Sequence, residues 1–173
     1  GAADSHTPPH YYRYESGTSM AAADVSGTLA LLQEFFEQRL QPGLTNSPAL
    51  VKALLINGAR AVNDAYSLNV QNERNYQGWG LARLRSALPA AITNFTGNGA
   101  AYPLWFADQS PTNALATGQS LTRTLKLNNN GARNQPLRVT LVWTDPPGNP
   151  AAGVKLVNDL DLVVTNLDDP ANP

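Results

Sequence analysis

The segment Ser16-Gly17-Thr18-Ser19-Met20-Ala21-Ala22-Ala23-Asp24-Val25-Ser26-Gly27 decides how the rest of the chain is read. A Gly-Thr-Ser turn feeds directly into an apolar stretch with helical spacing, which predicts Ser19 at a helix N-terminus. The first N–H groups of a helix lack intrahelical partners, and the positive end of its dipole gathers there. A serine so placed can attack a carbonyl while its own N–H helps to hold the resulting oxyanion. Gly17 lets a substrate backbone approach closely. The competing reading makes Thr18 or Ser19 an ordinary N-cap, a position that Ser and Thr favour.

Downstream, Thr18 to Leu40 reads as one long helix. Met20, Ala21, Ala22, Ala23, Val25, Leu29, Leu32, Phe35 and Phe36 leave almost no polar face in its first half. Such a helix is expected inside a sizeable protein, emerging where Glu34, Glu37 and Arg39 bring charge. Pro42-Gly43 ends it. Ser47 as N-cap and Pro48 at the first helical position open a second helix that Gly58 stops. Gln77-Gly78-Trp79-Gly80 is a turn, and a short third helix is expected over Leu81 to Leu88. Upstream, Asp4 to Glu15 holds Pro8, Pro9 and three tyrosines and reads as loop. Tyr11, Tyr12 and Tyr14 either line a substrate subsite or pack on the body of the protein.

Beyond residue 94 the period changes to two. Leu121, Leu125 and Leu127 alternate with Thr122, Thr124 and Lys126, and Leu137, Val139, Leu141 and Trp143 are expected to face inward. Further strands are expected over Leu160 to Thr165 and Tyr102 to Phe106. Short strands separated by Gly, Asn and Pro clusters predict an antiparallel sandwich. The chain thus divides into an α-rich part, 1–92, and a β-rich part, 94–173.

Composition narrows the classes. Of 173 residues 42% are hydrophobic and 14% charged, the latter well below the ~25% of an average soluble domain. Seventeen Asn and eight Gln take the place of charge, which suits an extracellular surface. With a net charge of -1 and no basic patch, nucleic acid is not an expected partner. The chain has no cysteine, so thiol nucleophiles, disulfides and Cys-ligated metals are out. No apolar run approaches the ~20 residues of a membrane span.

Gly17-Thr18-Ser19-Met20-Ala21 followed by Val25-Ser26-Gly27 resembles the nucleophile segment of the subtilisin-like serine proteases. The likeness continues through the long helix, the Ser47-Pro48 helix start, Leu54-Leu55-Ile56-Asn57-Gly58-Ala59 and Gly78-Trp79-Gly80. Leu141-Val142-Trp143-Thr144-Asp145 and Leu156-Val157-Asn158-Asp159-Leu160-Asp161-Leu162 are similar to the C-terminal β-domain of alkaline secreted subtilases. The resemblance implies an α/β subtilisin-like catalytic domain, represented by its mostly helical C-terminal part over 1–92. A jelly-roll-like antiparallel β-sandwich, cut short, follows over 94–173.

The implied activity is peptide-bond hydrolysis by an Asp-His-Ser mechanism, with a protein or peptide substrate and no cofactor for catalysis. Ser19 would be the nucleophile, and Gly17, Thr18 and Met20 would border the substrate and the oxyanion. Ala23 and Asp24 stand where the family most often has Pro and His. The family's catalytic Asp and His, and its oxyanion Asn, lie far upstream of the serine, so a missing N-terminal part is expected to supply them. His6 and His10 do not resemble the family's histidine segment. The resemblance also implies secretion. The alternative is a catalytically inert piece whose β-domain has a structural or calcium-binding role.

Asp159 and Asp161 are two apart and share one face of a strand, near Asn158 and the strand-end Asp145. On the residues alone, a solvated strand face with a turn-capping Asp is as good a reading as a Ca²⁺ site, which draws 6–8 oxygens from such groups. The resemblance to calcium-stabilised β-domains implies structural Ca²⁺ at Asp145, Asn158, Asp159 and Asp161.

Overall fold

Ser47 and Pro48 start the helix on which the rest of the fold is hung. The Ser47 side chain accepts from the Leu50 N–H at 3.0 Å, and Pro48 gives up an N–H that would have had no helical partner. A computed structural model describes residues 14–40, 46–61, 78–88, 104–126 and 137–168 of the chain. In it α1 covers Thr18–Phe35 and passes into a π-helical turn at Phe36–Leu40. Helix α2 covers Pro48–Gly58, and α3 is a single turn at Leu84–Ala87. A 3₁₀ turn follows at Pro111–Asn113.

Leu32 and Phe36, one helical turn apart, meet Leu50, Val51 and Leu54 of α2 and Ala87 of α3. Leu32 and Phe36 are fully buried, and each such side chain stabilises by about 1.5–3 kcal/mol. Phe106 closes the cluster from the second part of the chain, its ring edge-on to Phe36 at 5.3 Å. Leu104 packs beside it.

Helices α2 and α3 approach so closely that a Cβ on Gly58 would lie 2.7 Å from the Ala87 nitrogen. After α2 the chain pairs Arg60 with Leu81 in a reciprocal antiparallel bridge, with N–H to O distances of 3.1 and 2.8 Å. Gly80 makes that bridge feasible: its φ is 99°, and a Cβ there would overlap the Arg60 carbonyl.

Several expectations are corrected. The third helix spans four residues, because Leu81 is taken up by the bridge to Arg60. The first half of α1 is largely exposed, and its one buried residue, Leu32, lies in the second half, the reverse of the expected order. An 11-residue α2 is about 16 Å long and an 18-residue α1 about 27 Å, so α2 reaches only part of it. Leu137, Val139 and Leu141 are exposed. Arg138 and Thr140 instead make the contacts with α2, because they bond groups at its C-terminal end.

Among the described residues, the Arg60–Leu81 bridge is the only β pairing. The expected strand over Tyr102 to Phe106 falls partly outside them, and residue 106 serves the helical core. The joint near residue 93 and the loop carrying His6, His10, Tyr11 and Tyr12 also lie outside the described residues. No described helix is long and apolar enough to cross a membrane.

Candidate active site

Gly17, with φ 159° and ψ 163°, is the N-cap of α1, which makes Thr18 the first and Ser19 the second helical residue. Neither hydroxyl residue therefore occupies the cap position. The first intrahelical bond runs from the Ala21 N–H to the Gly17 carbonyl at 3.1 Å. The N–H groups of Thr18, Ser19 and Met20 precede it and have no carbonyl one turn back. Ser19 is exposed, as are Gly17, Thr18 and Met20.

Ser26, on the same helix, shows what Ser19 lacks. Its Oγ donates to the Ala22 carbonyl at 2.9 Å, as mid-helix serines do. Ser19 stands too early to find such a carbonyl, and its hydroxyl makes no hydrogen bond among the described residues. The turn thus presents an open hydroxyl beside open backbone donors. That arrangement can host an attacking oxygen and an oxyanion. Among the described residues no imidazole accompanies it, and a lone serine hydroxyl is a weak nucleophile. Tyr14 is almost wholly exposed and packs against no described residue.

The second group of candidates gathers only in part. Both carboxylate oxygens of Asp145 accept N–H groups: the Val157 backbone at 2.7 Å, the Asn158 backbone at 2.9 Å and the Asn158 side chain at 2.8 Å. The Val157 bond, then the two from Asn158, holds the Asp145 carboxyl below its ordinary 3.8, partial desolvation opposing. Asp159 and Asp161 are exposed. Among the described residues no three His, Cys, Asp or Glu side chains gather as metal ligands. Asp145 thus closes the neck of the loop between it and Val157.

That loop is closed from within. The Lys155 ammonium donates to the carbonyls of Asn149, Pro150 and Ala152, and Asn149 Oδ1 accepts the Ala151 N–H at 2.9 Å.

Two residues that the sequence reading passed over make long-range polar contacts. Asp108 accepts from the Ser47 N–H at 2.9 Å and from Ser47 Oγ at 2.7 Å. Arg138 donates to the Asn57 carbonyl at 3.1 Å and to the Ala59 carbonyl, while Asn57 Nδ2 donates back to the Arg138 carbonyl at 3.1 Å. An Asp-Gln-Ser run and a lone Arg in an apolar stretch carry no motif, so no signal could have found them.

Residues 2–80 match the profile of the Subtilase family. Two relatives from Dictyostelium discoideum, the serine protease/ABC transporter B family proteins tagD and tagB, are each 29% identical over 89% of this chain. A third, tagA, is 29% identical over 86% of it. The chain spans about a tenth of the length of these relatives. No solved structure matches it. The family match covers Ser19 and its turn.

Proposed function

We propose that Ser19 is the nucleophile of a subtilisin-like serine endopeptidase, to which this chain contributes the serine-bearing part. The observation that carries this is the exposed Ser19 hydroxyl in the first turn of α1, within a segment that matches the family. In the reaction, Oγ bonds to the substrate carbonyl carbon and its proton passes to a histidine held by the part of the catalytic domain outside this sequence. The carbonyl oxygen takes the negative charge, which the Ser19 N–H and an upstream Asn side chain would share. The carbon–nitrogen bond then breaks, the histidine returns the proton to the leaving amine, and water resolves the acyl-enzyme. Without the upstream Asp and His the chain alone should be inactive.

The remaining parts of the reading are proposals of the same kind. Residues 94–173 would begin a β-sandwich domain, and the enzyme would be secreted, as the amide-rich composition suits. Only the protease half of the relatives' names is taken up, because an open serine is what this chain offers. Structural calcium at Asp145, Asn158, Asp159 and Asp161 competes with a turn-capping role for Asp145, and the three N–H groups bound to that carboxylate favour the latter.

The test is labelling of the full-length protein with a fluorophosphonate, followed by mass spectrometry to locate the adduct. An adduct on Ser19 supports the assignment. An active protease whose adduct sits on another serine removes it.

A further inference from the structure

We propose that the second part of the chain grips α2 at both ends, through Asp108 and Arg138, and so sets the rigidity of the helix pair that carries Ser19. The two contacts bridge 61 and about 80 positions of sequence and meet opposite ends of one helix. Each suits the end it meets. A carboxylate at the α2 N-terminus faces the positive end of the dipole, and a guanidinium at the C-terminus faces the negative end.

At the N-terminus the two carboxylate oxygens divide the work. Asp108 Oδ2 takes the Ser47 N–H and Oδ1 takes the Ser47 hydroxyl, which frees that oxygen's lone pairs for the Leu50 N–H. The cap is therefore a relay, and Asp108 orients the residue that caps. At the C-terminus, Asn57 and Arg138 exchange hydrogen bonds, and Asn57 Nδ2 also reaches Thr140 Oγ1 at 3.0 Å. Between the two grips, Leu50 and Leu54 press on Leu32 of α1 and on Phe36 of the π-helical turn that continues it, and Phe106 lies two residues before Asp108. A change at either grip thus passes into the helix whose first turn holds Ser19.

The experiment is amide hydrogen exchange on the full-length protein, with Asp108→Asn, Arg138→Gln and Ser47→Ala. Losing the charge-assisted grip in Asp108→Asn should speed exchange across residues 48–58 about tenfold, with a smaller rise over 29–36, and Arg138→Gln should speed it by about fivefold or less, because Arg60 also donates to the Asn57 and Ala59 carbonyls. Asp108→Asn and Ser47→Ala together should cost little more than either alone, since both break one relay. Additive effects of those two, or faster exchange confined to the substituted segment, would overturn the proposal.

The consequence for the site rests on the nucleophile reading: fluorophosphonate labelling of Ser19 should slow in Asp108→Asn alongside the faster exchange in α1. A parent protein that exchanges as expected but never labels faults the nucleophile reading alone. Unchanged exchange in all three variants faults the grip alone.

Discussion

Ser19 differs from its neighbour Ser26 only in where it stands on the helix, and that difference carries its chemistry. Ser26 spends its hydroxyl on the Ala22 carbonyl, whereas Ser19 has no carbonyl one turn back. Because Gly17 holds the cap, Ser19→Ala removes no capping bond and should cost less than the ~1 kcal/mol of a lost cap. If Ser19 is the nucleophile, as proposed, peptide hydrolysis by the full-length protein should nevertheless fall by orders of magnitude. Unfolding curves and kinetics on one purified variant check both halves. Asp145 gives a prediction with a sign. Its carboxyl is held below 3.8, chiefly by the Val157 N–H. A depressed folded value means that its contribution to the loop neck is complete above 3.8 and is lost as pH falls below that through the folded value. Amide exchange at Val157 and Asn158 should quicken over that acid range, and Asp145→Asn should remove the pH dependence.

Helix α2 was the most legible element, because Ser47-Pro48 and Gly58 state both its ends in local chemistry. Its C-terminal end holds a redundancy that local chemistry does not reveal. Arg60 and Arg138 both donate to the carbonyls of Asn57 and Ala59. Burial, and then the nearby Arg60 charge, lowers the Arg138 value. Removing either arginine relieves that repulsion and leaves the other in place. Arg60→Gln and Arg138→Gln should each cost under ~1 kcal/mol, and the pair more than the sum of the two. A thermal-denaturation double-mutant cycle measures this. Gly58 adds a steric test. A Cβ there meets the Ala87 backbone, so Gly58→Ala should destabilise by about 1–3 kcal/mol despite alanine's better helix propensity. The third helix was misread because hydrophobic spacing cannot register that Leu81 is already committed to Arg60. The serine turn was legible because its residues are contiguous. Asp108 and Arg138 were not, since they act on partners 61 to 81 positions away.

Over the whole chain, the hydrophobic pattern announces more apolar surface than the described structure covers. The composition asked for a core, and the core found centres on Leu32, Phe36, Leu50, Val51, Leu54 and Ala87. Alternation over Leu137 to Trp143 predicted an inward row, yet Leu137, Val139 and Leu141 are exposed. Period two reports which side chains want cover, not what provides it. The same holds for α1, whose Met20 and Leu31 are about half exposed. Calcium is one agent that could act at this scale, and chelation tests it: an unchanged unfolding temperature for the full-length protein would leave Asp145 as a loop clamp alone. The uncovered apolar residues carry the sharper prediction. Each large side chain left in water forgoes about 1.5–3 kcal/mol, so the 173-residue chain by itself should bind a hydrophobic dye strongly and unfold with poor cooperativity. Adding the upstream part of the catalytic domain, as a separate chain or in one polypeptide, should cover the first turns of α1 and lower that signal. Replacing Met20 and Leu31 with Gln should lower it in the isolated chain and change it little once the upstream part is bound. A sharply cooperative melt of the isolated chain without dye binding would show that these side chains find cover within the 173 residues.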